Sequence, residues 1–348
     1  MRAVSARWLI GIGAATAVAC LAIALLPVRA DGSSQREAWK ARYHRPAEIP
    51  FPDDDPYTKA KDDLGHMLFF DPILSSSGTL SCASCHNPAL SWGNGLPRAV
   101  GESHKPLALR APTILNVAWM SVLGWDGKFR GLERVPFEGP VTSPANMNRK
   151  VDDLIAALNA IAGYRRAFAA AFPDSPAASR ANIESALATY QRTVVSGRSP
   201  FDRWIEGDES AIGDAAKRGF DLFNGKAACA ECHSGWNFTD GSFHDIGTAT
   251  GDDIGRAKLF PSSIKLRYAF KVPTLRDAAR RAPYMHDGSE PTLEAVIDLY
   301  DRGGIDRPSR SDLMKPLGLT AGEKADLISF LETLTGEPTL VAVPALPR

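Results

Sequence analysis

Two five-residue motifs, CASCH at Cys82–His86 and CAECH at Cys229–His233, carry the chemistry that can be read from this sequence. In a C-x-x-C-H motif the two thiols can form thioethers with the vinyl groups of one porphyrin, and the adjacent histidine can bind its iron. A zinc site or a redox dithiol is the alternative, but four of the five cysteines lie in these motifs. The sequence therefore predicts two covalently bound haem c groups. Their predicted attachment sites and iron ligands are Cys82, Cys85, Cys229, Cys232, His86 and His233.

The N-terminal segment has the pattern of a secretory signal peptide. Arg2 and Arg7 precede an apolar run over Trp8–Pro27, and Val28–Ala30 matches a small-residue cleavage site. We therefore expect residues 1–30 to be removed during export to the periplasm, which fits covalent haem attachment outside the cytoplasm. The apolar run is nearly long enough to cross a bilayer, so an uncleaved membrane anchor is the alternative.

The charge balance gives no sign of a nucleic-acid partner. The 348 residues include 40 Lys and Arg and 40 Asp and Glu, so the formal net charge at pH 7 is zero. A chain of this length is expected to form about two domains. We place them at residues 31–198 and 199–348, so that each contains one haem motif.

The sequence repeats itself around the two haem motifs. Three short segments of the first half recur in the second half at one common offset along the chain. The pairs are Ala111–Thr113 with Val272–Thr274, Trp125–Gly127 with His286–Gly288, and Leu132–Glu133 with Leu293–Glu294. This repeat predicts an internal duplication with one haem unit in each half.

The rest of the pattern predicts helices rather than strands. Apolar residues recur at helical spacing over Val151–Phe172 and Ala181–Val195, and Asp214–Phe223 leads into the second haem motif. Ser199–Asp202 is interpreted as a break, and Thr320–Leu334 begins with the Thr and Glu of a capping box. The predicted fold is mainly α, with two cytochrome c-like haem domains related by internal duplication.

Several segments resemble the dihaem cytochrome c peroxidase and MauG superfamily over almost the whole chain. Those of the first half are Leu64–Pro72, Ser77–Thr79, Arg110–Thr113, Trp125–Gly127 and Gly139–Val141, and those of the second half are Phe270–Arg276 and Ala282–Gly288. The superfamily contains peroxidases that reduce hydrogen peroxide and MauG-like enzymes that oxidise side chains of a partner protein. The resemblance therefore implies a haem-dependent oxidoreductase that acts with hydrogen peroxide.

The sixth ligand of the second haem distinguishes these two branches. The resemblance implies a methionine ligand in peroxidases and a tyrosine ligand in MauG-like enzymes, and Tyr300 stands at that position. A phenolate is a hard anionic donor that stabilises higher oxidation states of iron. The alternatives are that Tyr300 only packs a helix face and that Met314 or Met285 binds the iron.

Trp125 is the second residue to which the resemblance assigns a role. Its counterpart in the superfamily lies between the two haems and relays electrons. Indole is among the side chains most readily oxidised by one electron, so a tryptophan in that place allows an oxidising equivalent to pass between the porphyrins. The alternative is an ordinary buried aromatic of the core.

The peroxide-binding side of the first haem departs from the peroxidase pattern. Asn146 stands where the resemblance implies a catalytic glutamate, which puts ordinary peroxidase chemistry in doubt. Glu138 or Glu133 could substitute, or could be solvated carboxylates at helix ends. His104 could be a ligand that leaves on activation, a distal base or an exposed loop residue.

A calcium ion between the haems is a further implication of the resemblance, and the sequence leaves it open. The asparagine that binds it in the superfamily is replaced by Arg110, a cation that would repel calcium. Carbonyls at Pro283 and its neighbours could still bind the ion. Arg110 could instead supply the missing charge or bind haem propionates.

The most specific expectation is a MauG-like enzyme of the MbnH type, associated with methanobactin operons. Such an enzyme uses hydrogen peroxide to reach a high-valent two-haem state that oxidises a residue, here expected to be a tryptophan, of a periplasmic partner protein. The first alternative is a dihaem peroxidase that takes electrons from a small cytochrome or cupredoxin. The second is a dihaem electron carrier without enzymatic activity.

Overall fold

A computed structural model of the chain describes residues 32–347, so the predicted signal peptide and Cys20 lie outside the described residues. Within this range the fold is rich in helix and contains only four short strands. The α-helices are α1 (Gly32–Lys40), α2 (Lys59–Phe70), α3 (Cys82–Cys85), α4 (Val135–Glu138), α5 (Val151–Ala160), α6 (Ala162–Ala171), α7 (Arg180–Thr193), α8 (Pro200–Ile205), α9 (Asp214–Asn224), α10 (Leu293–Arg302) and α11 (Ala321–Glu332).

Long loops with short 3₁₀ turns separate the helices. The 3₁₀ turns are Pro72–Leu74, Pro88–Leu90, Val117–Trp119, Cys229–Glu231, Arg256–Lys258, Ile264–Leu266 and Ala278–Arg280. The strands form two antiparallel pairs, β1 (Val122–Leu123) with β2 (Phe129–Arg130) and β3 (Phe243–His244) with β4 (Phe270–Lys271). Extensive loop is expected in a chain that wraps large flat cofactors rather than packing only on itself.

Two hydrophobic cores divide the described chain. The first contains buried residues of α2, α5, α6 and α7, and the second contains buried residues of α8, α9, α10 and α11. The change from one core to the other falls between Val194 and Phe201. Each core packs beside one of the two C-x-x-C-H motifs, so each motif has its own helical support.

One pair of crossing helices lies at the centre of each core. Gly65 of α2 crosses α7 so closely that an added Cβ would lie 2.0 Å from the carbonyl oxygen of Ala186. Gly219 of α9 crosses α11 in the same way, and its Cβ would lie 2.0 Å from the carbonyl oxygen of Asp326. Only glycine allows backbones to approach this closely. Because α2 and α9 each precede a haem motif, these crossings fix both motifs against their cores.

The two ends of the described chain pack on the opposite halves. Trp39 and Tyr43 pack with the second core, although their positions lie in the predicted first domain. Arg36 of α1 also donates to Asp221 of α9, with Nε 2.9 Å from Oδ1. Near the C terminus, Val341 packs against the first core. The halves are therefore joined by exchanged end segments as well as by the chain between them.

The predicted helices are present, with two differences. The segment predicted as one helix over Val151–Phe172 is divided into α5 and α6, because Ile161 has extended backbone. The side chain of Arg165 donates to the carbonyls of Asn159 and Ala160, which the interruption leaves without helical partners. The predicted break at Ser199–Asp202 is the start of α8, where Ser199 and Asp202 form a capping box.

None of the helices found between residues 32 and 347 has both the length and the apolar character needed to cross a bilayer.

Candidate haem sites and the junction between them

The histidines of the two C-x-x-C-H motifs are held in the same way. Nδ1 of His86 lies 3.3 Å from the carbonyl oxygen of Trp92, and Nδ1 of His233 lies 3.0 Å from that of Phe238. When Nδ1–H donates to a carbonyl, Nε2 keeps its lone pair and can bind a metal. Burial lowers the pKa of both imidazoles, which favours this neutral form. The arrangement fits a proximal iron ligand in both motifs.

The motif cysteines are placed to meet an apolar group. Burial raises the pKa of Cys82 and of Cys229 to about 12, so these thiols are neutral. All four motif cysteines are unpaired. A partly buried neutral thiol suits thioether formation with a porphyrin better than zinc binding, which requires thiolates.

Tyr300, the predicted sixth ligand, lies on α10 beside the second haem motif. Burial raises the pKa of its phenol, and the nearby thiols of Cys229 and Cys232 raise it further. Met314 is also buried, at 8% exposure. Met285 lines a cavity with Arg110 and Trp125 between the two halves. The structure thus brings Tyr300 to the second motif, and its coordination of iron remains a prediction.

Trp125 lies at the tip of a hairpin that the first half inserts into the second. The hairpin is formed by β1 and β2, and its turn continues into Gly127, which has φ +73°. A Cβ on Gly127 would lie 2.0 Å from Nη1 of Arg256, so only glycine fits there. Nη1 of Arg256 donates to the carbonyl of Asp126 at 3.0 Å. These contacts place Trp125 at the junction between the halves.

The second half inserts a matching turn into the first. Tyr284 and Glu290 form an antiparallel bridge around His286, the residue at the repeat position of Trp125. The turn includes Gly288, which has φ +73°, and a Cβ there would lie 2.4 Å from the backbone of Pro97 in the first half. The contact across the junction is therefore reciprocal.

Backbone hydrogen bonds follow the same reciprocal pattern. The amide of Arg110 donates to the carbonyl of His286 at 2.9 Å, and the amide of Lys271 donates to the carbonyl of Trp125 at 2.7 Å. Arg110 and Lys271 occupy repeat-related positions. In addition, Nε1 of Trp125 donates to the carbonyl of Arg110 at 2.9 Å. The indole is therefore fixed in orientation as well as in position.

His286 connects Trp125 to a carboxylate. The ring centroids of Trp125 and His286 are 6.5 Å apart, with the planes at 72°. His286 stacks on Phe270 with centroids 3.7 Å apart, and its Nε2 lies 2.8 Å from Oδ2 of Asp253. Burial would raise the pKa of Asp253, but the hydrogen bond with His286 and the positive charge of Lys258 outweigh it and lower that pKa. Asp253 is thus a carboxylate at neutral pH, and its negative charge lies one residue from the indole.

The predicted distal residues are not gathered into a visible acid–base pair. Glu138 is exposed on α4 beside Arg134, with Oε1 3.6 Å from Nη1. Glu133 forms an ion pair with Arg192. His104 lies on an exposed loop at φ +53°. Asn146 is half-buried, and its carbonyl accepts from the amide of Glu102 at 2.6 Å. Catalytic roles for these four residues stay predictions.

Comparison with known proteins identifies the family. A family model described as di-haem cytochrome c peroxidase matches residues 59–210. The chain is 51% identical over 320 residues to the methylamine utilization protein MauG of Methylorubrum extorquens, covering 91% of this chain and 90% of that protein. The chain belongs to the dihaem cytochrome c peroxidase and MauG superfamily.

Other members of the superfamily are similar at lower identity. The cytochrome-c peroxidase IdrP1 of a Pseudomonas species is 36% identical, over 86% of this chain and 87% of that one. A solved structure of a MauG-like protein associated with microbial copper homeostasis has a TM-score of 0.78 and 34% identity, and covers 84% of this chain and 95% of its own. Membership shows that the chain is a haem-dependent oxidoreductase with two haems, which acts with peroxide and a protein partner or electron donor.

The residues at the junction do not fit the calcium ion that the superfamily resemblance implied. Arg110 is 8% exposed, and its Nη2 donates to the carbonyl of Arg281, one of the neighbours of Pro283 that could have bound calcium. Arg281 brings a second guanidinium, which donates to the carbonyl of Thr274 at 2.7 Å. Two guanidinium groups thus bond the carbonyl oxygens of this part of the junction.

The sequence prediction missed Asp253 and Lys271 at the junction. Lys271 lies beside Met120, with Nζ 3.9 Å from Sδ, and burial lowers its pKa to about 8. Its position could have been found by extending the repeat, since it corresponds to Arg110. Asp253 has no counterpart in the repeat and lies in a loop, so no local pattern marked it.

Proposed function

We propose that this protein uses hydrogen peroxide to oxidise a tryptophan of a partner protein that takes part in methylamine utilisation. The observation that carries the proposal is Tyr300 beside the second haem motif. The identity of 51% with MauG of Methylorubrum extorquens favours methylamine utilisation over copper homeostasis, since the MauG-like protein associated with the latter is 34% identical.

In this proposal the two halves arose by duplication and have since taken different tasks. Cys82, Cys85, Cys229 and Cys232 would form the thioethers, and His86 and His233 would bind the irons. Tyr300 would supply a further ligand at the second haem, and peroxide would react at the first. When bound, the haems supply the reaction with peroxide and the storage of two oxidising equivalents.

The protein residues would then control the movement of electrons between the two haem sites and the partner residue. Hydrogen peroxide takes up two electrons and two protons and leaves as two waters, while the partner residue loses two electrons. Once it has lost its proton to bind iron, the Tyr300 oxygen would favour an oxidised second site. Trp125 passes electrons between the two sites, because its ring lies at the junction of the halves and can be oxidised reversibly. The Asp253 carboxylate, which is hydrogen-bonded to His286, stabilises positive charge on that ring.

Proton handling near the first haem is assigned to Asn146 and His104. Asn146 is neutral and can orient peroxide by hydrogen bonding without accepting a proton. His104, in the neighbouring loop, is our first candidate base, and Glu138 is the second. The lack of a glutamate at position 146 is consistent with slow, selective peroxide use rather than rapid scavenging.

The proposal includes export. Residues 1–30 act as a signal peptide in this view, and the mature protein acts in the periplasm, where the thioethers are formed. The partner is therefore also a periplasmic protein.

The decisive experiment mixes hydrogen peroxide rapidly with the diferric protein and follows both irons by absorbance and Mössbauer spectroscopy. We expect both iron sites to change together without prior reduction. Reaction only after one haem has been reduced would identify a peroxidase fed by a small cytochrome or cupredoxin. No reaction in either state would identify an electron carrier.

A further inference from the structure

We propose that the guanidinium of Arg110 is a built-in cation that takes the place of a calcium ion between the two halves, so that this protein neither holds nor needs calcium. The inference uses the haem assignment of the superfamily but not the identity of the partner. Its experiment therefore fails or succeeds independently of the proposed protein-oxidising activity.

The first support is the position of Arg110 in the backbone of the junction. Its amide donates to His286 at 2.9 Å, and its carbonyl accepts from Nε1 of Trp125 at 2.9 Å. The backbone of Arg110 is thus bound to the backbone of His286 and to the indole of Trp125. These bonds fix the point at the junction from which its side chain starts.

The second support is the use that the side chain makes of the available oxygens. A calcium ion in a protein needs six to eight oxygen ligands at about 2.3–2.6 Å. Here the carbonyl of Arg281 accepts from Nη2 of Arg110. Arg281 donates to the carbonyls of Thr274 and Arg276 at 2.7 and 2.9 Å. Guanidinium groups thus already bond the carbonyl oxygens of Arg281, Thr274 and Arg276 around this part of the junction.

The third support is charge. Among residues 32–347, no ion pair joins Arg110 to a carboxylate, and no cluster of three or more His, Cys, Asp or Glu side chains could hold a metal ion. A divalent ion at this place would face the guanidinium groups of Arg110 and Arg281, and only Arg281 has a carboxylate, that of Asp277, close enough to counter the lowering of its pKa by burial. Like charges at such short range repel strongly in a buried setting.

The fourth support is a spare donor. Nε of Arg110 is buried and has no hydrogen-bond partner within the described part of the protein. A buried unpaired donor is costly unless another group satisfies it. An anion brought by the cofactor, a haem propionate, has the chemistry to accept this bond. Arg110 would then neutralise an anion at the junction, as a calcium ion does.

The first measurement uses the wild-type holoprotein. If the site is absent, we expect mass spectrometry of the metals after dialysis to find less than about a tenth of a calcium ion per chain. We also expect no change in the electron paramagnetic resonance signals of either ferric haem on addition of the chelator EGTA. One retained calcium per chain, or a spectrum that changes with EGTA, would overturn the proposal.

The second measurement uses variants. Arg110→Asn removes the cation and introduces a carboxamide oxygen, so we expect altered haem signals that recover when millimolar calcium chloride is added. Arg110→Lys should stay independent of calcium. Arg166→Asn, an exposed change on α6, is the matched control. An Arg110→Asn protein with unaltered signals, or with altered signals that calcium does not restore, would contradict the proposal. If that variant does not fold, the calcium content of the wild type still decides.

Discussion

The rings of Trp125 and His286, which occupy repeat-related positions in the two halves, meet edge to face with their centroids 6.5 Å apart. The amide of Lys271 in the second half donates to the carbonyl of Trp125, and the amide of Arg110 in the first half donates to the carbonyl of His286. The two positions have diverged in chemistry while keeping their contact. One holds an oxidisable indole, and the other holds an imidazole that is paired with Asp253. Five predictions follow from this junction and from the haem sites that flank it.

Replacing Trp125 with Phe should slow the sharing of oxidising equivalents between the two iron sites. Phe retains an aromatic ring but is much harder to oxidise. We expect a slowing of roughly tenfold or more, which corresponds to a barrier increase of about 1.4 kcal/mol. Rapid-mixing spectroscopy with peroxide measures this step. Trp119→Phe is the control, because Trp119 packs on Trp236 with centroids 4.8 Å apart and is not at the tip of the hairpin. Equal rates in wild type and Trp125→Phe would remove Trp125 from the pathway.

Replacing Tyr300 with Phe should change the second haem from a low-spin signal to a five-coordinate or methionine-ligated one. The substitution keeps the ring on α10 and removes only the donor oxygen. Electron paramagnetic resonance of the ferric protein detects the change. Tyr284→Phe is the matched control, since the hydroxyl of Tyr284 donates to the carbonyl of Ala278 at 3.1 Å. An unchanged low-spin signal in Tyr300→Phe would point to Met314 or Met285 as the ligand.

Replacing Cys229 and Cys232 together with Ser should remove one haem and leave the other. The serines cannot form thioethers, and the first motif lies in the other core. The pyridine haemochrome assay and acid–acetone extraction measure total and covalently bound haem. The same change at Cys82 and Cys85 serves as the converse test. Loss of both haems from either variant would show that the two sites are not assembled independently.

Replacing Asp253 with Asn should slow inter-haem sharing without changing haem content. The change removes the negative charge that faces His286 and, through it, Trp125. Because the pKa of Asp253 is lowered from 3.8, its carboxylate acts at neutral pH, and its contribution is lost as the pH falls through that lowered value. The exposed neighbour Asp252 supplies the control Asp252→Asn. Identical kinetics in the two variants at pH 7 would exclude a role for the charge.

Replacing Gly219 with Ala should destabilise the second core. The added Cβ would meet the carbonyl oxygen of Asp326 at 2.0 Å, so α9 and α11 must separate. Overpacking of this kind costs about 1–3 kcal/mol of the free energy of unfolding. Chemical denaturation followed by circular dichroism measures the loss. Gly213→Ala is the control, since nothing lies within 4 Å of its added Cβ. Equal stability of the two variants would show that the crossing can relax.

The haem motifs and most helices could be predicted because their signals are local. Cys82–His86 and Cys229–His233 are contiguous in sequence, and the capping box at Thr320 and Glu323 is formed as its spacing predicts. The interruption at Ile161 could not be predicted in this way, because the apolar spacing continues through it and the support comes from the side chain of Arg165. The periodic spacing of apolar residues indicates which face of a helix is buried, but it does not indicate where the backbone leaves the helical conformation.

The junction was predictable only in part. Trp125 was marked by a resemblance, and His286 by the repeat, but nothing in the sequence placed one beside the other. Asp253 reaches His286 from a loop far along the chain, and that contact depends on how the halves dock. The same holds for Arg110. Its charge was evident from the sequence, but its bond to the carbonyl of Arg281 could not be predicted from the sequence.

Because each end segment packs against the core of the opposite half, the two halves can be inherited or engineered only together. Tyr43, from before the first motif, completes the aromatic core behind the second, where its ring stacks on Phe238 with centroids 5.0 Å apart. Val341, from after the second motif, covers the core behind the first. A gene cut at the boundary near residue 198 would therefore yield two fragments that each lack a piece held by the other. Module shuffling between members of the superfamily has to exchange the ends together with the halves that they cover.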